Sequence, residues 1–314
     1  MSKPAQDPSS KRTWLSVASL SLLFVAAFFV LRSLPYAECG FLHYVEIVNA
    51  DGEIELCATN HAGFIDLSVL SYPVEASLAT DRPLKPGIKS KVALKLKTAG
   101  GMPIAAHELA TTHTEKIHLM VIDPSLEDYH HLHPEPEGLD GIYRFEFVPK
   151  KAGTYRVFTE IVPVRSRRQA IALSELEVAG EVAKPVFERS IRSCSDGVQF
   201  VLHGAPAALK TGRDYRLELE ISDLETGAPA ELEMVMGAKG HMVAFDERAL
   251  GFAHMHPVDS VADVRVAGLP KGQEKDTDLA FLFNVPNPGW YRLFAQIQLE
   301  GESVFGRFNL RVDD

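Results

Sequence analysis

One spacing of histidines occurs twice in this chain and limits what it can fold into. His118, His131, His133 and Pro134 recur as His241, His254, His256 and Pro257, so both copies fit His-x12-His-x-His-Pro. Asp123 and Asp246 each stand five residues after the first histidine of their copy. Duplication on this scale means a repeated structural unit, and the fold has to accommodate two of them. Each copy reads as an apolar run, a polar turn and a second apolar run, which predicts a β-hairpin carrying three histidines.

The flanking segments repeat as well. Residues 91–97 and 141–148 alternate apolar and polar positions over at least part of their length, and 153–161 do so again after Gly153-Thr-Tyr-Arg. Their counterparts are 215–221, 278–285 and Gly289-Trp-Tyr-Arg-Leu-Phe. Alternation of this kind marks strands with one buried face. The copies are offset by 123 residues at His118 and His241 and by 136 at Tyr155 and Tyr291, so the second carries about thirteen extra residues, placed within 258–277. No segment past residue 34 holds a helical period. The expected fold is all-β: two tandem immunoglobulin-like β-sandwiches after an N-terminal transmembrane helix. The expected boundaries are a tail and anchor at 1–34, a β-hairpin extension at 35–74 belonging to the domain that follows it, a first sandwich at 75–180 and a second at 184–314. Lys184-Pro185 is the linker, and 184–314 is expected to fold alone.

Lys11 and Arg12 precede eighteen residues without a charge, 14–31, and Arg32 follows. That run reaches the lower limit for a spanning helix and is long for a cleaved signal core. The reading favoured is an uncleaved, single-pass signal anchor, with Lys3, Lys11 and Arg12 holding the N-terminus in the cytoplasm and everything after Arg32 facing outward, in the periplasm. Three cysteines, Cys39, Cys57 and Cys194, suit an oxidising compartment without building a disulfide framework. Asp51-Gly52 is read as a two-residue turn joining strands at 41–48 and 53–58, a register that sets Cys57 opposite Glu46. A net charge of −10 argues against nucleic acid as a partner and is compatible with attracting cations.

Within the second copy, Gly237-Ala-Lys-Gly-His-Met-Val, then His-Met-His-Pro, then Gly-Trp-Tyr-Arg-Leu-Phe resembles a family of bacterial secreted or membrane-anchored β-domain proteins. The resemblance is good over 225–314 and looser over 98–165, where Thr114-Glu-Lys-Ile117 replaces the glycine-rich lead-in. It implies an extracytoplasmic location and metal binding, and it supplies no activity.

The histidines carry the functional reading. His131 and His133 share a strand face, as do His254 and His256. Two registers place the first histidine with them. Asp123 opposite Leu126 pairs His118 with His131, and Asp123 opposite Asp128 pairs His118 with His133; Asp246 opposite Ala249 or Gly251 does the same for His241. Each hairpin is therefore expected to bind one transition-metal ion through its own three imidazoles. Met236 and His113, each five residues before the first histidine of its copy, are candidates for a fourth ligand. Imidazole suits zinc, copper, nickel and iron, and the methionines near the motifs tilt the choice toward copper, with zinc the alternative. Met242 and Met255 point away from the histidine face and are packing residues. Binding is expected to weaken below about pH 6.5, where imidazole takes up a proton.

No phosphate loop, nucleophile motif or marked general base is present, so no catalytic residues are assigned and a non-enzymatic metal-binding protein is the leading function. Two other readings stand beside it. One is an adhesion or assembly module in which duplication copied a structural hairpin, its histidines bonded to aspartate. The other is a zinc- or copper-dependent enzyme with an open coordination position. His107 and His130, which have no counterpart in the second copy, are weaker candidates, and His203 is read as structural.

Overall fold

The computed structural model describes residues 8–33, 44–48, 54–58, 63–258 and 279–314. The expected insertion at 258–277 falls almost wholly outside these residues, as do Cys39, His43 and His61. The chain divides into two units, Met1–Gly40 and Phe41–Asp314. The first contains helix α1 (Pro8–Ser33), whose segment Arg12–Arg32 is long and apolar enough to cross a membrane. In the second, β1 (Tyr44–Val48) pairs antiparallel with β2 (Ile54–Ala58). Val48 lies opposite Ile54, so Cys57 faces Val45 and not Glu46, while the expected turn at Asp51-Gly52 lies outside the described residues.

A short strand, β3 (Ile65–Asp66), precedes the first repeat. That repeat supplies β4 (Val74–Thr80), β5 (Ser90–Thr98), β6 (Ile117–Ile122), β7 (Tyr129–Leu132), β8 (Glu135–Pro136), β9 (Ile142–Phe147), β10 (Gly153–Ile161) and β11 (Ala170–Val178). The second supplies β12 (Arg192–Ser195), β13 (Val198–His203), β14 (Leu209–Lys210), β15 (Tyr215–Asp223), β16 (His241–Asp246), β17 (Gly251–Met255), β18 (Ala280–Phe283), β19 (Gly289–Leu299) and β20 (Glu302–Asp313). Each repeat is a sandwich of two sheets. In the first, sheet β4-β5-β9-β8 packs on sheet β11-β10-β6-β7 around Val92, Leu94, Leu119, Val121, Tyr155 and Val157. In the second, sheet β12-β13-β15-β18 packs on sheet β14-β20-β19-β16-β17-β3 around Phe200, Leu217, Met242, Met255, Phe281 and Leu293. Met242 and Met255 are thus packing residues, as expected. β3 joins the second repeat by pairing with β17, although the sequence reading attached this region to the first. The join needs glycine: a Cβ on Gly251 would stand 2.4 Å from the Ile65 carbonyl oxygen.

Burial separates outer from inner sheets. The outer strands β5, β9 and β15 alternate buried with half-buried or exposed residues, as the sequence pattern predicts for a sheet with one wet face. β6 is buried at every position and β16 at all but its last, because their second face meets the other repeat. That third apolar layer joins Met120, Ile122, Tyr129 and Phe158 of the first repeat to Val243, Phe245, Phe252 and Phe294 of the second. Arg292 crosses the junction: its guanidinium, 2% exposed, donates to the carbonyls of Leu126 and Val186 and to Asn309 Oδ1. The two sandwiches are therefore docked through a common core.

Candidate metal centre

Each motif hairpin folds in the second of its two registers. Met120 faces His131 and Val121 faces His130, which carries His118 opposite His133, and Met242 facing Met255 carries His241 opposite His256. The turns explain the choice. Asp123 accepts hydrogen bonds from the amides of Ser125 (2.9 Å), Glu127 (2.7 Å) and Asp128 (2.8 Å). Asp246 accepts from those of Arg248 (3.1 Å), Leu250 (2.7 Å) and Gly251 (2.8 Å). Each carboxylate is saturated by its own turn, so the reading in which it holds a motif histidine is corrected. Leu126 and Ala249 take matching left-handed conformations, with φ of +56° and +48°.

Along β6 the residues facing the other repeat are His118, Met120 and Ile122, and along β16 they are His241, Val243 and Phe245. One end of the junction is consequently apolar, and the other is lined with imidazoles from both sides. His118 and His241 are each 1% exposed and His131 is 8% exposed. Two sets of three bring their nitrogens within 4.8 Å of one another: His118, His131 and His133, and His113, His241 and His256. The first is the set expected for the first hairpin. The second corrects the expectation of one site per hairpin, because His113 of the first repeat completes it. The His113 ring stacks on His256 with centroids 3.6 Å apart. His254 lies between the sets, its ring 4.6 Å from that of His256, 5.1 Å from His131 and 5.5 Å from His118.

The partners of three histidines define where their protons sit. His118 Nε2 is 2.9 Å from the Thr112 carbonyl oxygen, which only accepts, so Nε2 carries the hydrogen and Nδ1 the lone pair. His131 Nδ1 is 3.0 Å from Gln296 Oε1, whose amide nitrogen is engaged by Ser303 Oγ at 3.1 Å, so His131 Nε2 carries the lone pair. His254 Nδ1 is 3.2 Å from Glu160 Oε2, which turns its Nε2 inward in the same way. The lone pairs of His118 Nδ1 and His131 Nε2 then face each other at 3.2 Å. Two ligands on one tetrahedral ion with bonds of about 2.0–2.1 Å are separated by about 3.3 Å. Further nitrogens of the cluster, Nε2 of His113, His133, His254 and His256 and both ring nitrogens of His241, are buried without a hydrogen-bond partner among the described residues.

Burial is the main influence on the acidity of these rings, and neighbouring histidines add to it. They depress His113 and His133 to about 3 and His118 to about 4, and they hold His131, His241 and His256 well below the ordinary imidazole value. At neutral pH the rings are uncharged, the state in which imidazole binds a metal. Burial alone would raise Glu160. The hydrogen bond from His254, with help from His118 and Gln169, outweighs burial and holds Glu160 at about 2.

Sequence reading missed Glu160, Gln296 and Thr112. A signal for the first two existed, since they are separated by the 136-residue strand offset and each lies directly opposite the first histidine of its copy, Glu160 facing His118 and Gln296 facing His241. Of the remaining candidates, His130 pairs with Asp128 at 3.0 Å and His203 with Glu220 at 2.8 Å, and His107 sits in the single-turn helix Ala106–Glu108. Met236 is half-buried at a φ of +48°, in a turn equivalent to that of His113. In the Gly-x-Tyr strands, Tyr155 donates to Asp128 at 2.5 Å and Tyr291 to the Asn287 carbonyl at 2.8 Å.

These features define a protein of tandem immunoglobulin-like sandwiches docked around a buried histidine cluster. The chain belongs to the family described as a domain of unknown function, DUF8832, whose model matches residues 71–176 and 192–314. No curated protein matches it. Among solved structures, a Salmonella α2-macroglobulin mutant aligns at 14% identity over 77% of this chain and 15% of its own, with a TM-score of 0.24. Fibronectin(III)-like modules of Clostridium thermocellum CbhA align at 8% over 76% and 94%, with a TM-score of 0.21. An ICAM-5 D1–D4 ectodomain fragment aligns at 14% over 77% and 54%, with a TM-score of 0.22. At such scores the sandwich assignment rests on the strand pairing of this chain itself.

Proposed function

We propose that this protein is a membrane-anchored, outward-facing binder of transition-metal ions, with copper favoured and zinc the alternative, which holds its metal between the two repeats and turns over no substrate. The observation carrying this reading is the proton arrangement. Thr112, Gln296 and Glu160 each take a hydrogen from one nitrogen of a histidine and so aim the lone pair of the other into the centre. Facing lone pairs repel, and buried nitrogens without partners cost about 1–3 kcal/mol each. A cation among them removes both penalties. Nitrogen donors select transition metals over calcium and magnesium, which take oxygen. The basic flank Lys3, Lys11 and Arg12 before the apolar helix supports an outward-facing body.

The test uses the full chain, purified in detergent without an affinity tag and stripped with a chelator. Titration with Cu(I), Cu(II) and Zn(II) is expected to show tight binding that collapses in the His131→Ala, His256→Ala double variant, which takes one ligand from each set. Equal binding by parent and variant would refute the reading. A reporter active only in the cytoplasm, fused after Asp314, is expected to be silent; a signal there would reverse the topology.

A further inference from the structure

The repeats exchange partners across their junction. His131 of the first repeat meets Gln296 of the second, and the equivalent His254 of the second meets Glu160 of the first. The same relation places His113 of the first repeat with His241 and His256 of the second. His113 lies in a two-residue turn in which Thr112 and Glu115 exchange backbone hydrogen bonds of 2.7 and 3.1 Å. Met236 occupies the same position of an identical turn, with Val235 and Ala238 exchanging bonds of 2.7 and 3.1 Å. Both turns are left-handed at their two central residues: φ is +50° and +70° at His113 and Thr114, and +48° and +77° at Met236 and Gly237. Such a conformation is costly for histidine, threonine and methionine, and retaining it at both turns points to side chains placed for a purpose.

Resting on the metal reading above, we infer that Met236 is presented to His118 and His133 as His113 is to His241 and His256, so that the centre holds two unlike ions. The site of His113, His241 and His256 has imidazole donors only. That site suits a divalent ion such as zinc. The site of His118, His131 and His133 gains the Met236 thioether, and the group behind His131 is the neutral amide of Gln296. Monovalent copper prefers sulfur, so the thioether selects it at this site.

The test is anaerobic titration of the metal-free full chain with Cu(I) against a chromophoric chelator, with Zn(II) alone in parallel and X-ray absorption on the loaded samples. Two Cu(I) per chain are expected, one with sulfur in its coordination shell, against one Zn(II) per chain. Met236→Leu, which keeps the bulk of the side chain, should remove the sulfur signal, weaken one Cu(I) by roughly tenfold or more and leave the single Zn(II) in place. His113→Ala should abolish Zn(II) and spare the sulfur-bound copper. His133→Ala should remove the same copper as Met236→Leu and provides a variant outside the strained turn. A copper shell without sulfur, unchanged Cu(I) affinity in Met236→Leu, or two Zn(II) per chain would overturn the inference while leaving the metal reading intact. Failure to bind either ion would overturn both.

Discussion

The Glu160–His254 and Gln296–His131 pairs show how a single residue sets the chemistry of this centre. Each accepts a hydrogen from one ring nitrogen and thereby leaves the lone pair on the other. The cost of keeping these rings neutral in a dry site appears as pH sensitivity of the metal-free protein. Folded His113, His118 and His133 are depressed to between about 3 and 4, whereas unfolded histidine titrates near about 6.5. Between those values the unfolded chain binds more protons than the folded one, so stability falls as the pH is lowered through that window and is fully present above about 6.5. Urea unfolding of the chelator-treated chain should give a clearly lower midpoint at pH 5 than at pH 7.5, and equal midpoints would contradict the burial argument. The same depression revises the expectation that protons displace metal below about pH 6.5, because buried rings compete for protons only at lower pH.

The turns of the motif hairpins act at the scale of the element. Asp246 Oδ1 accepts from Leu250 and Gly251, and removing it leaves two half-buried amides without that partner. Asp246→Ala should cost about 2–3 kcal/mol in thermal or denaturant unfolding, and Asp246→Asn, which keeps the accepting oxygen, should recover most of it. An alanine variant as stable as the parent would show that the turn closes without its aspartate. Here the sequence was nearly sufficient. Period-two patterning placed the three histidines of each motif on one face under either register, and the aspartate five residues on selects the register in which its carboxylate reaches the turn amides. Cys57 is the counterexample: it faces Val45 and not Glu46, because register, unlike the period of a strand, does not follow from one dipeptide.

For the whole molecule, the junction between repeats decides whether half of the chain is a protein in its own right. A fragment of residues 184–314 would expose Val243, Phe245, Phe252 and Phe294, side chains worth about 1.5–3 kcal/mol each when buried. It would also lack His113 and Glu160. It should therefore melt below the full chain or self-associate, and it should bind metal far more weakly; a monomeric fragment with parental stability and affinity would show that the repeats are independent. This alters the expectation of two self-sufficient sandwiches, although the strand order within each follows the predicted plan. Alternating outer strands, the duplicated hairpins and the Gly-x-Tyr strand starts were all legible, because each depends on neighbours within about ten residues along the chain. The grouping of histidines across the two repeats was not. Spacing fixes which face of a sheet a side chain takes, but it carries no information on which other face that sheet will meet. His113 with His256, His131 with Gln296 and His254 with Glu160 are contacts between residues some 90 to 165 positions apart. They arise only when two sheets with an apolar end and a histidine-lined end are pressed together in one orientation.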